Sequence, residues 1–192
     1  MYTPTIVAFS GSRRRESFNT RLVKVAAEAA RGEGANVTVV NWDEVALPLF
    51  DQDDEAEHGL PENARRFRNL LIAHDGLLIS APEYNSSITP LLKNAIDWAS
   101  RAEPGDPPLK AFKGKTAALM SASPGALGGL RGLVHVRAIL GNIGVLVLPD
   151  QLAISKANEA FDDTGRLKDP KLQTGVEELG RKLVAILKKL HG

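Results

Sequence analysis

Three consecutive arginines, Arg13 to Arg15, lie where a helix is expected to begin. They follow residues 4–9, a short apolar stretch typical of a buried strand, and precede residues 20–31, where apolar side chains recur at helical spacing. A helix N-terminus already carries unpaired N–H groups and a partial positive charge, so cations there are unfavourable without an anion. The hydroxyls of Ser12 and Ser17 beside these arginines therefore favour a bound phosphate dianion.

This loop matches neither of the two common phosphate-binding motifs. A P-loop requires GxxxxGK[ST] and the dinucleotide fingerprint requires GxGxxG, whereas this loop contains a single glycine, Gly11. The alternative is that Ser17 only caps the helix and that the arginines are solvated. Because cations oppose the helix dipole, a bound phosphate explains the pattern better.

A second polar turn, Pro82-Glu83-Tyr84-Asn85, follows the apolar residues 75–81 and precedes a helix. It places an aromatic ring, a carboxylate and an amide at the end of a predicted strand. Taken alone, the turn is compatible with a ligand contact and with a structural role in which Asn85 and Ser87 cap the following helix.

A third loop follows the predicted strand at residues 115–121 and contains Gly125, Gly128 and Gly129. Glycines allow the main chain to approach a flat ligand closely and leave its N–H groups free to donate. The alternative for this segment is a loop that is merely flexible.

The elements that must position these loops alternate along the chain. The sequence predicts strands at residues 4–9, 36–42, 75–81, 115–121 and 145–149, helices at 20–31, 61–73, 88–102 and 171–190, a mostly helical segment at 125–142, and a solvated polar loop at 51–57. The apolar strands are typical of a parallel sheet covered on both faces, which gives an α/β fold in one domain over residues 1–192. Ligands of such sheets bind at the carboxyl ends of the strands, where the three unusual loops are expected.

Composition excludes several classes of function. A net charge of +1 gives no case for nucleic-acid binding, and the apolar runs are shorter than a membrane helix requires. The chain contains no cysteine and the N-terminus has no visible secretory signal, so we expect a cytoplasmic protein. We also expect no metal site, because the four histidines are scattered: His58, His74, His135 and His191.

The three loops resemble signatures of the NADPH-dependent FMN reductases, a flavodoxin-like family. The resemblance rests on Gly11-Ser12-x-Arg14-x-x-Ser17-x-Asn19, on PEYN followed by LKNAIDW, and on Gly-Gly-x-Arg ending at Arg131. It implies a three-layer sandwich with strand order 2-1-3-4-5 and an FMN phosphate held by Ser12, Arg14, Ser17 and Asn19. The implied cofactor-binding residues are Ser12, Arg14, Ser17, Phe18, Asn19, Pro82, Glu83, Tyr84, Asn85, Ser123, Gly125 and Gly128.

The resemblance also implies an activity. A member of this family passes a hydride from NADPH or NADH to FMN and then reduces a quinone, flavin, azo compound or oxidised metal ion. The flavin carries the chemistry, so no residue is assigned as catalytic. The alternatives are a flavodoxin-like electron carrier or flavin-binding module without nicotinamide turnover, and a family member that has lost its flavin. The nearly neutral charge favours the enzyme over a carrier, and the intact loops favour a bound flavin.

Several finer expectations follow from the same resemblance. It implies a homodimer or homotetramer in which a neighbouring subunit walls the flavin site. The sequence itself offers the amphipathic helix predicted at residues 88–101 as a candidate face for this contact. Arg131 is expected to be structural or to lie at that interface. Thr89-Pro90 replaces a Pro-Gly pair found in many relatives, which we expect to alter the turn into the helix. Arg13 and Arg15 could meet the 2′-phosphate of NADPH or face water, so both nucleotides remain open.

Overall fold

The computed structural model describes residues 2–192, which form a parallel sheet between two layers of helices. The elements in chain order are β1 (Thr5–Ser10), α1 (Phe18–Gly32), β2 (Asn36–Val39), α2 (Gln52–His58), α3 (Glu62–Ile72), β3 (Gly76–Ser80), β4 (Glu83–Tyr84), β5 (Ser87–Ile88), α4 (Pro90–Ala99), β6 (Thr116–Ala122), α5 (Leu130–Asn142), β7 (Leu146–Ile154), α6 (Ala157–Ala160) and α7 (Pro170–His191). The main sheet has the order β2-β1-β3-β6-β7 with parallel pairing throughout. β4 and β5 form a separate two-stranded sheet. When only the five strands of the main sheet are numbered along the chain, their order is 2-1-3-4-5, so the predicted fold class is confirmed.

The middle strands are apolar because both faces of the sheet are covered. One core lies between the sheet and α1 and α7, and the other lies between the sheet and α3, α4 and α5. Ser10 pairs with Ser80, and Ser80 pairs with Met120. The loops that follow β1, β3 and β6 therefore leave the sheet at the same edge.

One expectation about a helix cap is corrected by the structure. Asn85 and Ser87 do not cap α4. Instead, Thr89 caps it by accepting a hydrogen bond from the Leu92 N–H at 3.2 Å, and Pro90 occupies the first turn. Asn85 has a φ of 49° and forms the turn of the β4–β5 hairpin. Thr89 as the N-cap and Pro90 in the first turn therefore together provide a favourable N-terminus for α4.

The acidic segment at 51–57 is not the predicted loop, because residues 52–58 form α2. Asp51 caps this helix by accepting a hydrogen bond from the Asp53 N–H at 2.8 Å. Acidic side chains in the first turn interact favourably with the helix dipole. Helix formation here depends on capping and charge rather than on an apolar face, since α2 buries no residue.

The last strand of the sheet is longer than predicted. β7 continues past Pro149 to Ile154, with an irregularity in its pairing to β6 between Ala117 and Leu119. An edge strand tolerates both a proline and a bulge, since one side of the strand has no ladder to maintain.

No helix within residues 2–192 is long and apolar enough to cross a membrane.

Candidate functional site

The loop between β1 and α1 is fixed against the neighbouring elements through Gly11. The Gly11 N–H donates to the Ser80 carbonyl at 2.9 Å, and the Thr89 hydroxyl donates to the Gly11 carbonyl at 2.7 Å. A Cβ on Gly11 would lie 3.0 Å from both Leu92 Cβ and Thr89 Oγ1. The loop therefore starts from one defined position, and Thr89, which sequence reasoning did not select, helps to define it.

Donors for an anion collect at the start of α1. Ser17 is the N-cap and accepts a hydrogen bond from the Thr20 N–H at 3.2 Å. The N–H groups of Phe18 and Asn19 donate to no protein acceptor within residues 2–192. Ser12 lies on the same loop, and its hydroxyl accepts from the Arg14 N–H at 3.2 Å. This cluster of free N–H groups and hydroxyls beside an exposed arginine fits a phosphate dianion.

The Asn19 side chain joins the ends of two strands. Its Oδ1 accepts hydrogen bonds from the Ser80 hydroxyl at 2.8 Å and from the Ala122 N–H at 3.0 Å, and its Nδ2 donates to the Ala122 carbonyl at 2.8 Å. Asn19 is buried, so this amide is a fixed part of the scaffold. Its main-chain N–H is the group that remains for an anion.

The Glu83 carboxylate links the β4–β5 hairpin to α5. One oxygen accepts hydrogen bonds from the N–H groups of Arg131 and Gly132, at 3.0 and 3.2 Å, and the other accepts from Arg131 Nε at 2.9 Å. Burial disfavours the charged carboxylate, but the hydrogen bonds from Arg131 and Gly132 outweigh burial and hold the pKa of Glu83 below its usual value. Glu83 thus caps a helix whose own N-cap, Gly129, has no side chain. The expected structural role of Arg131 fits this contact.

The glycine-containing loop after β6 packs on the main chain of β7. Gly128 has a φ of 62°, and a Cβ there would lie 2.7 Å from the Ile154 carbonyl carbon. Gly129 also has a positive φ, and a Cβ there would overlap the Ser121 side chain. A Cβ on Gly125 would meet only the Ser123 hydroxyl oxygen, at an ordinary contact distance of 3.7 Å. Two of the three glycines are therefore required by the main-chain path.

These loops form a small, open cleft at the carboxyl edge of the sheet. It is lined by the predicted residues Ser12, Arg14, Ser17, Phe18, Asn19, Pro82, Glu83, Tyr84 and Ser123, and by Ala122 and Pro124, which were not predicted. Asn85, Gly125 and Gly128 lie on the same loops but do not line the cleft. Ala122 and Pro124 flank Ser123, and their sequence carries no polar signal that would have selected them.

The ring of Tyr84 extends the cleft toward solvent. Its side chain is about half exposed and also lines a second hollow against Gly11, Thr89 and Pro90. Within residues 2–192, no group of three or more His, Asp or Glu side chains is placed to bind a metal.

A wider groove lies elsewhere, between α1, α7 and residues 163–166. Its charged side chains pair with one another, as Arg181 does with Glu177 at 2.9 Å and Arg166 does with Glu177 at 3.6 Å. The cleft at the carboxyl edge offers unpaired donors, so it is the better candidate for an anionic ligand.

Comparison with known proteins gives consistent matches. The sequence pattern described as NADPH-dependent FMN reductase matches residues 4–159. An NAD(P)H-dependent FMN reductase of Pseudomonas aeruginosa is 36% identical over 188 residues, covering 97% of each chain. A quinone reductase of Pseudomonas putida is 36% identical over 182 residues, covering 92% of each chain. The solved structure of FerB, a flavoenzyme NAD(P)H:acceptor oxidoreductase from Paracoccus denitrificans, is similar with a TM-score of 0.82 and 28% identity, covering 97% of this chain and 98% of that one.

Proposed function

Because the chain belongs to the NADPH-dependent FMN reductase family, we propose that it is an FMN-dependent NAD(P)H oxidoreductase that reduces small molecules. Quinones and free flavins are the proposed acceptors, and azo compounds and oxidised metal ions are further candidates. The observation that carries the proposal is the cleft itself, in which a helix start with free N–H groups and hydroxyls lies beside the Tyr84 hairpin and the Ser123 segment. Bound FMN supplies the redox chemistry by accepting a hydride from the nicotinamide and passing electrons to the acceptor.

At the anionic end of the proposed site, the chain supplies donors for the FMN phosphate. These are the hydroxyls of Ser12 and Ser17, the guanidinium of Arg14, and the main-chain N–H groups of Phe18 and Asn19. The helix dipole adds a partial positive charge at the same point. The donors are held in place before any ligand binds, because Gly11 and the Asn19 side chain are hydrogen-bonded to the sheet.

At the other end, the hairpin and the loop after β6 form the two sides of the proposed ring site. Pro82, Tyr84 and Asn85 lie on one side, and Ser123 and Gly125 lie on the other. Glu83 and Gly128 contribute by fixing the main chain rather than by offering side chains. No side chain is needed to move a proton in the hydride step, so one open face for nicotinamide and acceptor in turn is sufficient.

The proposal includes a homodimer or homotetramer. Large apolar side chains on α5 and next to it are exposed, with Leu130 at 43%, Val134 at 58% and Leu127 at 50%. Leu130 and Val134 are one helical turn apart, so they form a continuous apolar stripe that water disfavours. This stripe starts beside the glycine-containing loop, so a second copy that covers it would also approach the cleft. The sequence suggested the helix at residues 88–101 as the subunit face. The exposed large apolar residues lie on α5 instead of on α4, so we place the proposed contact at α5.

Two broader features belong to the same proposal. Residues 1–192 are taken as one domain, since α7 packs against α1 and completes one of the two cores. The proposed location is the cytoplasm, which the absence of cysteine fits.

Steady-state NADPH oxidation by protein loaded with FMN, with a quinone as acceptor, tests the proposed function. The variant R14Q is expected to bind FMN about 10- to 100-fold more weakly, because a charge-assisted hydrogen bond to the phosphate is lost. The matched control is R66Q, since Arg66 is an exposed arginine on α3, away from the cleft. Wild-type protein that binds FMN but oxidises neither NADPH nor NADH would contradict the proposal.

A further inference from the structure

The side chain of Thr89 joins two parts of the candidate site that lie far apart in the sequence. Its hydroxyl donates a hydrogen bond to the Gly11 carbonyl at 2.7 Å and accepts one from the Leu92 N–H at 3.2 Å. Thr89 is only 3% exposed, so water hardly competes for either hydrogen bond. One buried hydroxyl therefore ties the β1–α1 loop to the start of α4.

The main chain at the start of the β1–α1 loop is held at three successive carbonyls, each of which accepts a hydrogen bond from a side chain. The Ser10 carbonyl accepts from Trp42 Nε1 at 2.6 Å, and the Ser12 carbonyl accepts from the Ser10 hydroxyl at 3.3 Å. Thr89 supplies the bond to the middle carbonyl, that of Gly11. Hydrogen bonds at successive peptide units fix the direction in which the following residues leave the sheet.

Gly11 is also in close contact with both ends of the β4–β5 hairpin. A Cβ on Gly11 would lie 3.0 Å from Thr89 Oγ1 and 3.1 Å from Pro82 Cδ. Pro82 directly precedes β4, and Thr89 directly follows β5. The loop that carries the proposed phosphate donors therefore packs at Gly11 against the hairpin that carries Tyr84.

We propose that the Thr89 hydroxyl is a positioning group that sets the phosphate loop relative to the hairpin, and that it thereby favours FMN over riboflavin. The proposal rests on the proposed function and deepens it. Thr89 acts through the Gly11 main chain, and donors that are held in place before binding lose less entropy when the ligand arrives. The Pro-Gly pair that Thr89-Pro90 replaces has no hydroxyl, so this contact depends on a departure specific to this chain.

Riboflavin separates the two ends of the proposed site, because it has the ring and ribityl chain of FMN but no phosphate. Without the Thr89 hydroxyl, the Gly11 carbonyl loses its partner and the loop becomes free to shift. The donors on that loop then meet the phosphate less precisely, so FMN loses affinity while riboflavin does not. Loss of the α4 cap alone would instead disturb the hairpin and weaken both flavins alike.

The test titrates the full-length chain, freed of bound flavin, with FMN and with riboflavin, and follows flavin fluorescence. T89V removes the hydroxyl at nearly constant shape, T89S keeps it, and D51A removes the N-cap of α2 as a control for the loss of a cap. We expect the dissociation constant for FMN, divided by that for riboflavin, to rise about three- to tenfold in T89V, the equivalent of one hydrogen bond. The ratio should stay close to the wild-type value in T89S and be unchanged in D51A.

Amide hydrogen exchange of the ligand-free chain tests the positioning without any flavin. Leu183 is a buried residue of α7, so its exchange reports global opening. In T89V we expect exchange at the Gly11 N–H to become about three- to tenfold faster beyond any change at Leu183, because the loop opens locally.

Three results would overturn the proposal: equal losses of FMN and riboflavin affinity in T89V, a T89S variant as weak as T89V, or unchanged exchange at Gly11. The proposed function fails by a different result, namely FMN-loaded wild-type protein that oxidises neither NADPH nor NADH. The flavin titrations and the exchange measurement do not depend on turnover, so they still decide the role of Thr89 in that case.

Discussion

At the scale of single residues, the Glu83 carboxylate lies between the two loops that flank the proposed ring site. It comes from the hairpin, pairs with Arg131 and accepts two main-chain N–H groups at the start of α5. A change in this carboxylate therefore alters the hairpin and the glycine-containing loop together. Glu83 acts on the site by positioning its walls, because its oxygens are already occupied.

The ionisation of Glu83 should make stability depend on pH. Its pKa in the folded protein is below the ordinary value of 4.5, so the unfolded chain binds more protons near that pH. The stabilisation is fully present above pH 4.5 and is lost as the pH falls through the lowered pKa. We expect E83Q to reduce this acid-side slope of the free energy of unfolding, and to lower that free energy by about 1–3 kcal/mol at pH 7.

Denaturant unfolding of wild type and E83Q from pH 7 down to pH 3 measures this effect. E57Q is a suitable control, because Glu57 is an exposed residue of α2 remote from the hairpin. An acid-side slope that is identical in wild type and E83Q would show that the Glu83 contacts do not stabilise the fold.

Gly128 gives a second residue-scale prediction, because its φ of 62° and its close contact with β7 act together. We expect G128A to lower the free energy of unfolding by about 2–5 kcal/mol, from left-handed strain and overpacking combined. G34A isolates the strain, since Gly34 has a φ of 86° with no atom within 4 Å of a built Cβ, and should cost about 1–2 kcal/mol. Equal losses in thermal or denaturant unfolding would contradict the packing argument.

At the scale of elements, α3 fixes the proline-rich loop at residues 103–108 through a buried arginine. The Arg68 side chain is 2% exposed, pairs with Glu103 and Asp106, and donates from Nε to the Arg101 carbonyl at 2.7 Å. This charge network holds the loop against α3. A buried cation is tolerated only while its partners remain in place.

We expect R68M to lower the free energy of unfolding by about 1–3 kcal/mol, because the hydrogen bonds of the buried guanidinium are lost while Glu103 keeps Arg65 and Asp106 keeps Lys110 as partners. R65M is the matched control on the same helix, since Arg65 pairs with Glu103 at the surface and should contribute at most about 1 kcal/mol. Denaturant unfolding monitored by far-UV circular dichroism measures both changes. Similar small losses in the two variants would show that the Arg68 network is energetically neutral.

At the scale of the whole molecule, the parallel sheet brings three loops from distant parts of the chain to one edge. The apolar strands and their alternation with helices could be predicted from sequence because full burial leaves an unmistakable apolar run. The site loops could be singled out from the sequence because three arginines at a helix N-terminus oppose the helix dipole and because three glycines cluster in the loop after β6.

Other features could not be predicted because they depend on contacts between distant residues. The Glu83–Arg131 pair and the Asn19 network join residues 48 and 103 positions apart. The β4–β5 hairpin spans two residues per strand and depends on left-handed conformations at Asn85 and Ser86, so it leaves no periodic pattern. The helix α2 lacks an apolar face, and periodicity therefore missed it.

Anaerobic mixing of FMN-loaded protein with NADPH in a stopped-flow spectrophotometer shows directly whether this chain holds FMN and passes a hydride from NAD(P)H to it. We expect the absorbance of oxidised flavin to disappear at a rate at least equal to kcat and to return when a quinone is added. Oxidised absorbance that persists with both NADPH and NADH, in protein that dithionite still reduces, would exclude hydride transfer from NAD(P)H and identify an electron carrier instead.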